Sequence, residues 1–311
     1  MLLMAHEHQH SHSHHHHHSP TESYDRAFAI GIGLNTAVVV LEVIFGISSH
    51  SLALLSDAGH NLTDVLGLVL AGAAAVLGRR RPTTRRTYGL RRSSILAALF
   101  NALFLLIIVV GIGYEAINRL SHPEAVQNEV MIIVAAIGMF FNAGTAFLFR
   151  RDHRDINLRA AYVHMAGDAL ISLGVVIAGV VMHFTKWLWL DPAISLVIGV
   201  AIAYSTWEIF QESFNLAVDA VPAGIDRPEV EQYFQSLPDV CNVHDLHIWG
   251  MSTTETALTV HLVTEHERID NSLLQRVTRD LHDRFGIDHP TVQIEARDES
   301  HECELSDPAH V

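Results

Sequence analysis

The sequence predicts an α-helical membrane protein, six transmembrane helices followed by a cytoplasmic α+β domain at the C-terminal end. Three observations carry this. The 311 residues are 49% hydrophobic and only 17% charged, and the apolar residues are gathered into long blocks. Arginines crowd alternate connections between those blocks. From about residue 212 the blocks give way to short alternations of polar and apolar residues, the pattern of a domain with its own small core.

Taken in order, six blocks are long enough for a span of ~20 residues: roughly 26–47, 52–77, 95–117, 130–149, 158–184 and 191–210. Pro82 and the neighbouring arginines close the second. Asp191 followed by Pro192 reads as an N-cap with proline at the first helical position, opening the sixth. Glycines such as Gly67, Gly138 and Gly179 recur inside the spans, where small residues let helices approach closely. Arg79, Arg80, Arg81, Arg85, Arg86, Arg91 and Arg92 lie between spans two and three, and Arg150, Arg151, Arg154 and Arg159 between four and five. The opposite side has little beyond Arg119 and Lys186, so the positive-inside rule puts both termini in the cytoplasm. No cleavable signal peptide is expected, because the first apolar block is too long and follows a polar histidine tract.

Four segments result. Residues 1–22 are a histidine-rich tail too polar to bury a core, expected to be disordered. Residues 23–211 form the transmembrane domain and 298–311 a polar tail. Between them, residues 212–297 read as a helix near 227–237 after Asp226, strands near 240–249 and 256–265, a helix near 271–285 and a strand near 290–296. That order resembles a ferredoxin-like module, an open sheet covered by helices.

The formal net charge of −14, with its acidic excess mainly after residue 211, disfavours nucleic acid as a partner. The two cysteines, Cys241 and Cys303, both fall in the cytoplasmic part and imply no disulfide framework.

The chemistry lies in two His-x-x-x-Asp pairs inside the spans, His60/Asp64 and His164/Asp168. An ionisable side chain at the bilayer centre costs roughly 2.5–3.5 kcal/mol even on the lenient insertion scale. Residues four apart share one helix face, ~6 Å apart along the axis, so each helix offers one nitrogen and one oxygen to a common point. Two facing helices would complete a tetrahedron for Zn²⁺, whereas Mg²⁺ and Ca²⁺ prefer six or more oxygens. One divalent cation balances two carboxylates with both imidazoles neutral. Without it, two bare carboxylates would share a low-dielectric site, so protons should replace a departing metal.

Four stretches resemble the cation diffusion facilitator family, in its zinc-exporting branch. They are Ser51-Leu-Ala-Leu-Leu-Ser-Asp-Ala-Gly-His60-Asn-Leu-Thr-Asp64 in span two, Arg86-Thr-Tyr-Gly89 before span three, His164-Met-Ala-Gly-Asp168 in span five and Val243-His-Asp-Leu-His-Ile-Trp249 in the cytoplasmic domain. The likeness runs over about residues 24–297. It implies a homodimer of six-helix protomers that exports zinc against protons, with His60, Asp64, His164 and Asp168 as transport ligands. Histidine at the first position favours Zn²⁺ over Cd²⁺ or Mn²⁺. It also implies regulatory zinc at His244 and His261, with Glu295 at a third position. His301 and Cys303, a thiolate near an imidazole, are further candidates.

Asp57 sits one turn before His60 and either attracts cations or packs helices. Glu42, Asn101 and Asn142 read first as hydrogen-bond partners between helices. The arginine-rich loop lacks His and Asp, so its side chains are expected against anionic lipid headgroups rather than metal. The chain is not expected to be an enzyme: His-Glu-x-x-His is absent and four protein ligands leave zinc no open position, which disfavours an intramembrane zinc hydrolase. A membrane-bound zinc sensor or buffer is the other alternative, and it leaves the membrane-depth pairs unexplained. The expected location is a bacterial inner (plasma) membrane.

Overall fold

A computed structural model describes residues 20–149, 156–265 and 271–297, with side chains undescribed at 20–32, 68, 71, 75, 148, 149, 156–161, 163 and 164. The expectations for residues 1–19 of the histidine tail and for His301 and Cys303 lie outside the described residues, while residues 20–22 begin the first helix.

Six long helices come first: α1 (Pro20–Ser48), α2 (Leu52–Gly78), α3 (Ser93–Ser121), α4 (Asn128–Phe149), α5 (Ile156–Thr185) and α6 (Leu190–Ala217). The last five are long and apolar enough to cross a membrane, and α1 adds a described apolar stretch over Gly33–Ser48. Large apolar side chains such as Phe100, Ile107, Phe140, Ile177 and Val200 point outward. In water such a surface would aggregate; in hydrocarbon it is solvated. Leu54, Leu105, Val109, Met131, Val175, Met182 and Ile198 turn inward and form the core of the bundle.

Small residues set the closest approaches. A Cβ on Gly179 would lie 2.7 Å from Ile132 Cγ1, where α5 meets α4. Gly179→Ala is therefore expected to lower stability by about 1–3 kcal/mol, since the branched Ile132 cannot withdraw without shifting α4. A thermal midpoint unchanged from the native chain would contradict this.

The start of α6 corrects one expectation. Asp191 does not cap its own helix: α6 begins at Leu190, and Asp191 lies inside its first turn, fully buried. Its carboxylate instead crosses to the N-terminus of α2. Ser51 Oγ donates to Oδ1 at 2.7 Å, the Leu52 N–H to Oδ2 at 2.8 Å and the Ala53 N–H to Oδ1 at 3.2 Å. A helix N-terminus carries unsatisfied N–H groups and partial positive charge, and a carboxylate answers both. Ser56 and Ser195 share a hydroxyl hydrogen bond of 2.5 Å farther along the same contact.

The cytoplasmic domain contains α7 (Arg227–Gln235), β1 (Val240–Gly250), β2 (Thr256–Thr264), α8 (Asn271–Phe285) and β3 (His289–Ala296). The sheet order is β1-β2-β3, with β1 and β2 antiparallel and β2 and β3 parallel. Val230 and Phe234 from α7, and Leu273, Val277 and Leu281 from α8, pack on Leu246, Ile248, Leu258, Val260 and Leu262 of the sheet. The domain meets the arginine-bearing end of the bundle: Arg91 Nη1 is 2.8 Å from Glu255 Oε2, Arg92 pairs with Asp219, and Tyr88 packs edge-on against His289.

Candidate metal centre

Inside the bundle, α2 and α5 bring His60, Asp64 and Asp168 together, with one ligand atom from each lying within 4.8 Å of the others. His60 Nε2 is 2.8 Å from Asp168 Oδ1, and Asp168 is 1% exposed. The fourth residue of the expected set, His164, stands one helical turn before Asp168 on α5; its side chain lies outside the described residues. The charged groups acting on His60 are Asp64, Asp168 and Asp57. These three carboxylates create a negative potential that favours a divalent cation. The donors are one nitrogen and carboxylate oxygens, which suits zinc and its neighbours in the transition series.

Buried polar residues surround this centre. Ser172 Oγ on α5 donates to Asp57 Oδ2 at 2.8 Å, and Asn61 Nδ2 donates to Glu42 Oε2 on α1 at 3.0 Å. Asp57 and Glu42 thus tie α2 to α5 and α1, as interhelical partners should. Gly138 on α4 leaves space for Glu42, since a Cβ there would fall 2.8 Å from Oε1. Asn101 and Asn142 make no comparable interhelical hydrogen bond among the described residues, and Asn142 is buried with its Nδ2 unpartnered.

A second grouping lies on the sheet of the cytoplasmic domain. His244 and His261 are cross-strand partners of β1 and β2, with ring centroids 5.1 Å apart. Glu295 reaches both from β3: its Oε1 is 2.9 Å from His261 Nδ1 and its Oε2 is 3.5 Å from His244 Nε2. A bulge makes this possible. Between His244 and His247 the β1 register slips against β2, and Asp245 adopts φ 52°. In a regular strand His244 would share a face with Leu246 and Ile248. The extra residue turns His244 to the open face while those two stay in the core. His244 is nearly buried, at 7% side-chain exposure, and among the described residues neither ring nitrogen has a hydrogen-bond partner. A buried imidazole without partners is costly unless something else occupies it.

Sequence reasoning missed Asp245. Its Oδ1 is 2.8 Å from His247 Nε2 and its Oδ2 is 3.6 Å from His261 Nε2, so it borders the grouping and orients His247. Only the bulge brings it there, and the bulge has no glycine to announce it. Of the remaining histidines, His282 stands 3.6 Å from Asp288 and His289 packs on Tyr88, both away from the cluster, while His266 lies outside the described residues.

Comparison with known proteins agrees with this architecture. Residues 28–216 match the family described as the cation efflux transmembrane domain, and residues 222–297 that described as the cation efflux protein cytoplasmic domain. The chain is 35% identical over 287 residues to the metal cation efflux system protein CzcD of Cupriavidus metallidurans, covering 92% of this chain and 90% of the relative. It is 33% identical over 273 residues to the zinc transporter ZitB of Escherichia coli, covering 87% of each. It is 32% identical over 286 residues to the cadmium, cobalt and zinc/H(+)-K(+) antiporter of Bacillus velezensis, covering 90% and 91%. The chain is thus a metal-efflux transporter and not an enzyme, and it belongs to the cation diffusion facilitator family, in the zinc-exporting branch.

Proposed function

We propose that the chain exports Zn²⁺ from the cytoplasm in exchange for protons, by alternating access, with His60, Asp64, His164 and Asp168 holding the ion in transit. The observation that carries this reading is the convergence of His60, Asp64 and Asp168 from two helices long and apolar enough to cross a membrane. A neutral imidazole and ionised carboxylates bind the cation. When it leaves, the carboxylates face one another in a medium of low dielectric constant, and protons are the available replacement. That exchange is antiport. Relatives named as a zinc transporter and as a cadmium, cobalt and zinc/H(+)-K(+) antiporter support zinc as cargo and exchange that includes protons.

His244, His261 and Glu295 form a separate zinc site in this reading, on the cytoplasmic domain, with His301 and Cys303 available from the tail. The protein acts as a homodimer joined in part by that domain, in a bacterial inner membrane with both termini in the cytoplasm. The cytoplasmic domain and the loop of arginines sharing one end of the bundle support that orientation.

Zinc titration of the purified full chain tests the two-site assignment. Native protein should bind at two sites per protomer, and zinc at about 100 times its dissociation constant should stabilise it by about 2.7 kcal/mol per site. His261→Ala should remove one site and leave transport-site binding, and His60→Ala should do the reverse. Loss of a single common class of sites in both variants would contradict the assignment and favour a sensor with one metal centre.

A further inference from the structure

The loop between α2 and α3 borders a cavity lined by none of the candidate metal ligands. Its arginines ring the mouth of a cavity of about 870 Å³ that runs between α2, α3 and α6. Arg79, Arg80, Arg81 and Arg91 stand at the rim, and the β1–β2 turn, through Ser252 to Glu255, overhangs it. Deeper in, the wall is mostly apolar, built from side chains such as Leu70, Ala74, Ala98 and Ile209, with Ser94 and Asn101 among them.

The loop is ordered by its own backbone. Thr83 and Arg86 exchange two backbone hydrogen bonds of 3.0 Å, and the Gly89 N–H donates to the Arg86 carbonyl at 2.9 Å. Gly89 has φ +71°, and a Cβ there would lie 3.2 Å from the Arg80 carbonyl oxygen, so the chain folds back tightly on the arginines. Arg91 and Arg92 are paired with Glu255 and Asp219. Arg79, Arg80 and Arg81 are exposed and pair with no carboxylate among the described residues. This is an unusual place in a chain of net charge −14.

We propose that this cavity is a binding site for an anionic phospholipid, its phosphate held by Arg79, Arg80 and Arg81 and one acyl chain lying against Leu70, Ala74, Ala98 and Ile209. The ligand must be amphipathic, because the cationic rim sits where the bundle meets the aqueous domain while the apolar wall continues into the span. Guanidinium groups hold phosphate oxygens in pairs, and basic pockets between helices on the cytoplasmic side suit anionic headgroups. A soluble phosphate would use the rim alone. Only the assignment to the inner leaflet rests on the orientation proposed above; binding itself does not.

Native mass spectrometry of the purified full chain, titrated with dioleoylphosphatidylglycerol or dioleoylphosphatidylethanolamine, tests this. One saturable phosphatidylglycerol per protomer is expected, with phosphatidylethanolamine much weaker. Arg80→Gln/Arg81→Gln should weaken phosphatidylglycerol by roughly 10- to 30-fold. Arg85→Gln/Arg86→Gln removes the same charge from the same loop outside the cavity and should bind as the native chain does. Ala98→Phe should weaken the lipid by filling the apolar wall while all the arginines remain. Equal weakening by both arginine pairs would mean diffuse attraction to the loop and overturn the site. Glycerol 3-phosphate displacing the lipid at equal concentration would assign the rim to a soluble phosphate and overturn the lipid.

Discussion

Asp168→Asn is expected to abolish zinc flux in proteoliposomes, with a loss greater than about 100-fold, while the protein folds and stays dimeric. Even residues that merely orient a metal ligand cost about 10- to 100-fold when changed, and Asp168 stands directly against His60 at 2.8 Å. The amide keeps the shape and a hydrogen bond to His60 but removes the charge that balances the cation. Stability should hold or rise, because the neutral amide takes one of three neighbouring negative charges, those of Asp57, Asp64 and Asp168, out of the low-dielectric interior. Flux is read with an internal zinc dye, stability from the thermal midpoint. Retained flux would mean that Asp168 is a packing contact between α5 and α2 and nothing more.

Asp191→Ala is expected to produce the largest loss of stability, about 3 kcal/mol, with little direct effect on metal affinity. The alanine leaves the Leu52 and Ala53 N–H groups and the Ser51 hydroxyl without their acceptor in a buried place. Hydrogen bonds to a charged group contribute about 1.5–3 kcal/mol each, though they do not add fully. Ser51→Ala removes one of the three and should cost about 1 kcal/mol. The check is the thermal midpoint of each purified variant in the same detergent. If Asp191→Ala melted within about 0.5 kcal/mol of the native chain, a typical surface change, Asp191 would not hold α2 to α6.

These two residues mark where the sequence could and could not be read. The meeting of Asp168 with His60 and Asp64 was legible because its spacing to His164 repeats that of Asp64 to His60 on a second apolar block, and one helical turn is a local geometry. Asp191 suggested the wrong partner: Asp-Pro at a helix start reads as a local cap, and nothing near it names Ser51, 140 positions away. The cytoplasmic elements fell close to their expected bounds, since strands of alternating pattern and the amphipathic α8 carry their period in a few residues. The face of His244 did not. Strict alternation through Val243–Trp249 sets His244 beside Leu246 and Ile248, and only the slip at Asp245 reverses it. The pairs Glu42–Asn61 and Asp57–Ser172 show the same limit, because polar residues announce the need for a partner without naming it.

The same residues relate fold to transport. Asn61 and Asp57 flank His60 on α2 and fasten that helix to α1 and α5, so the turn that holds the proposed ligand His60 is held from both sides. A metal site needs such support, since a looser shell costs affinity even with every ligand present. The α2–α6 tie at Asp191 and Ser195 fastens these helices at the end away from the arginine-lined cavity.

The central claim is zinc–proton exchange through the α2–α5 site, and one measurement tests it most directly. Proteoliposomes holding the native chain or Asp168→Asn are given an imposed pH gradient, and internal zinc and internal pH are followed together. The account predicts zinc movement matched by opposite proton movement in native vesicles and neither in the variant. Zinc flux in native vesicles that leaves internal pH unmoved, or coupled fluxes that survive the substitution, would contradict it.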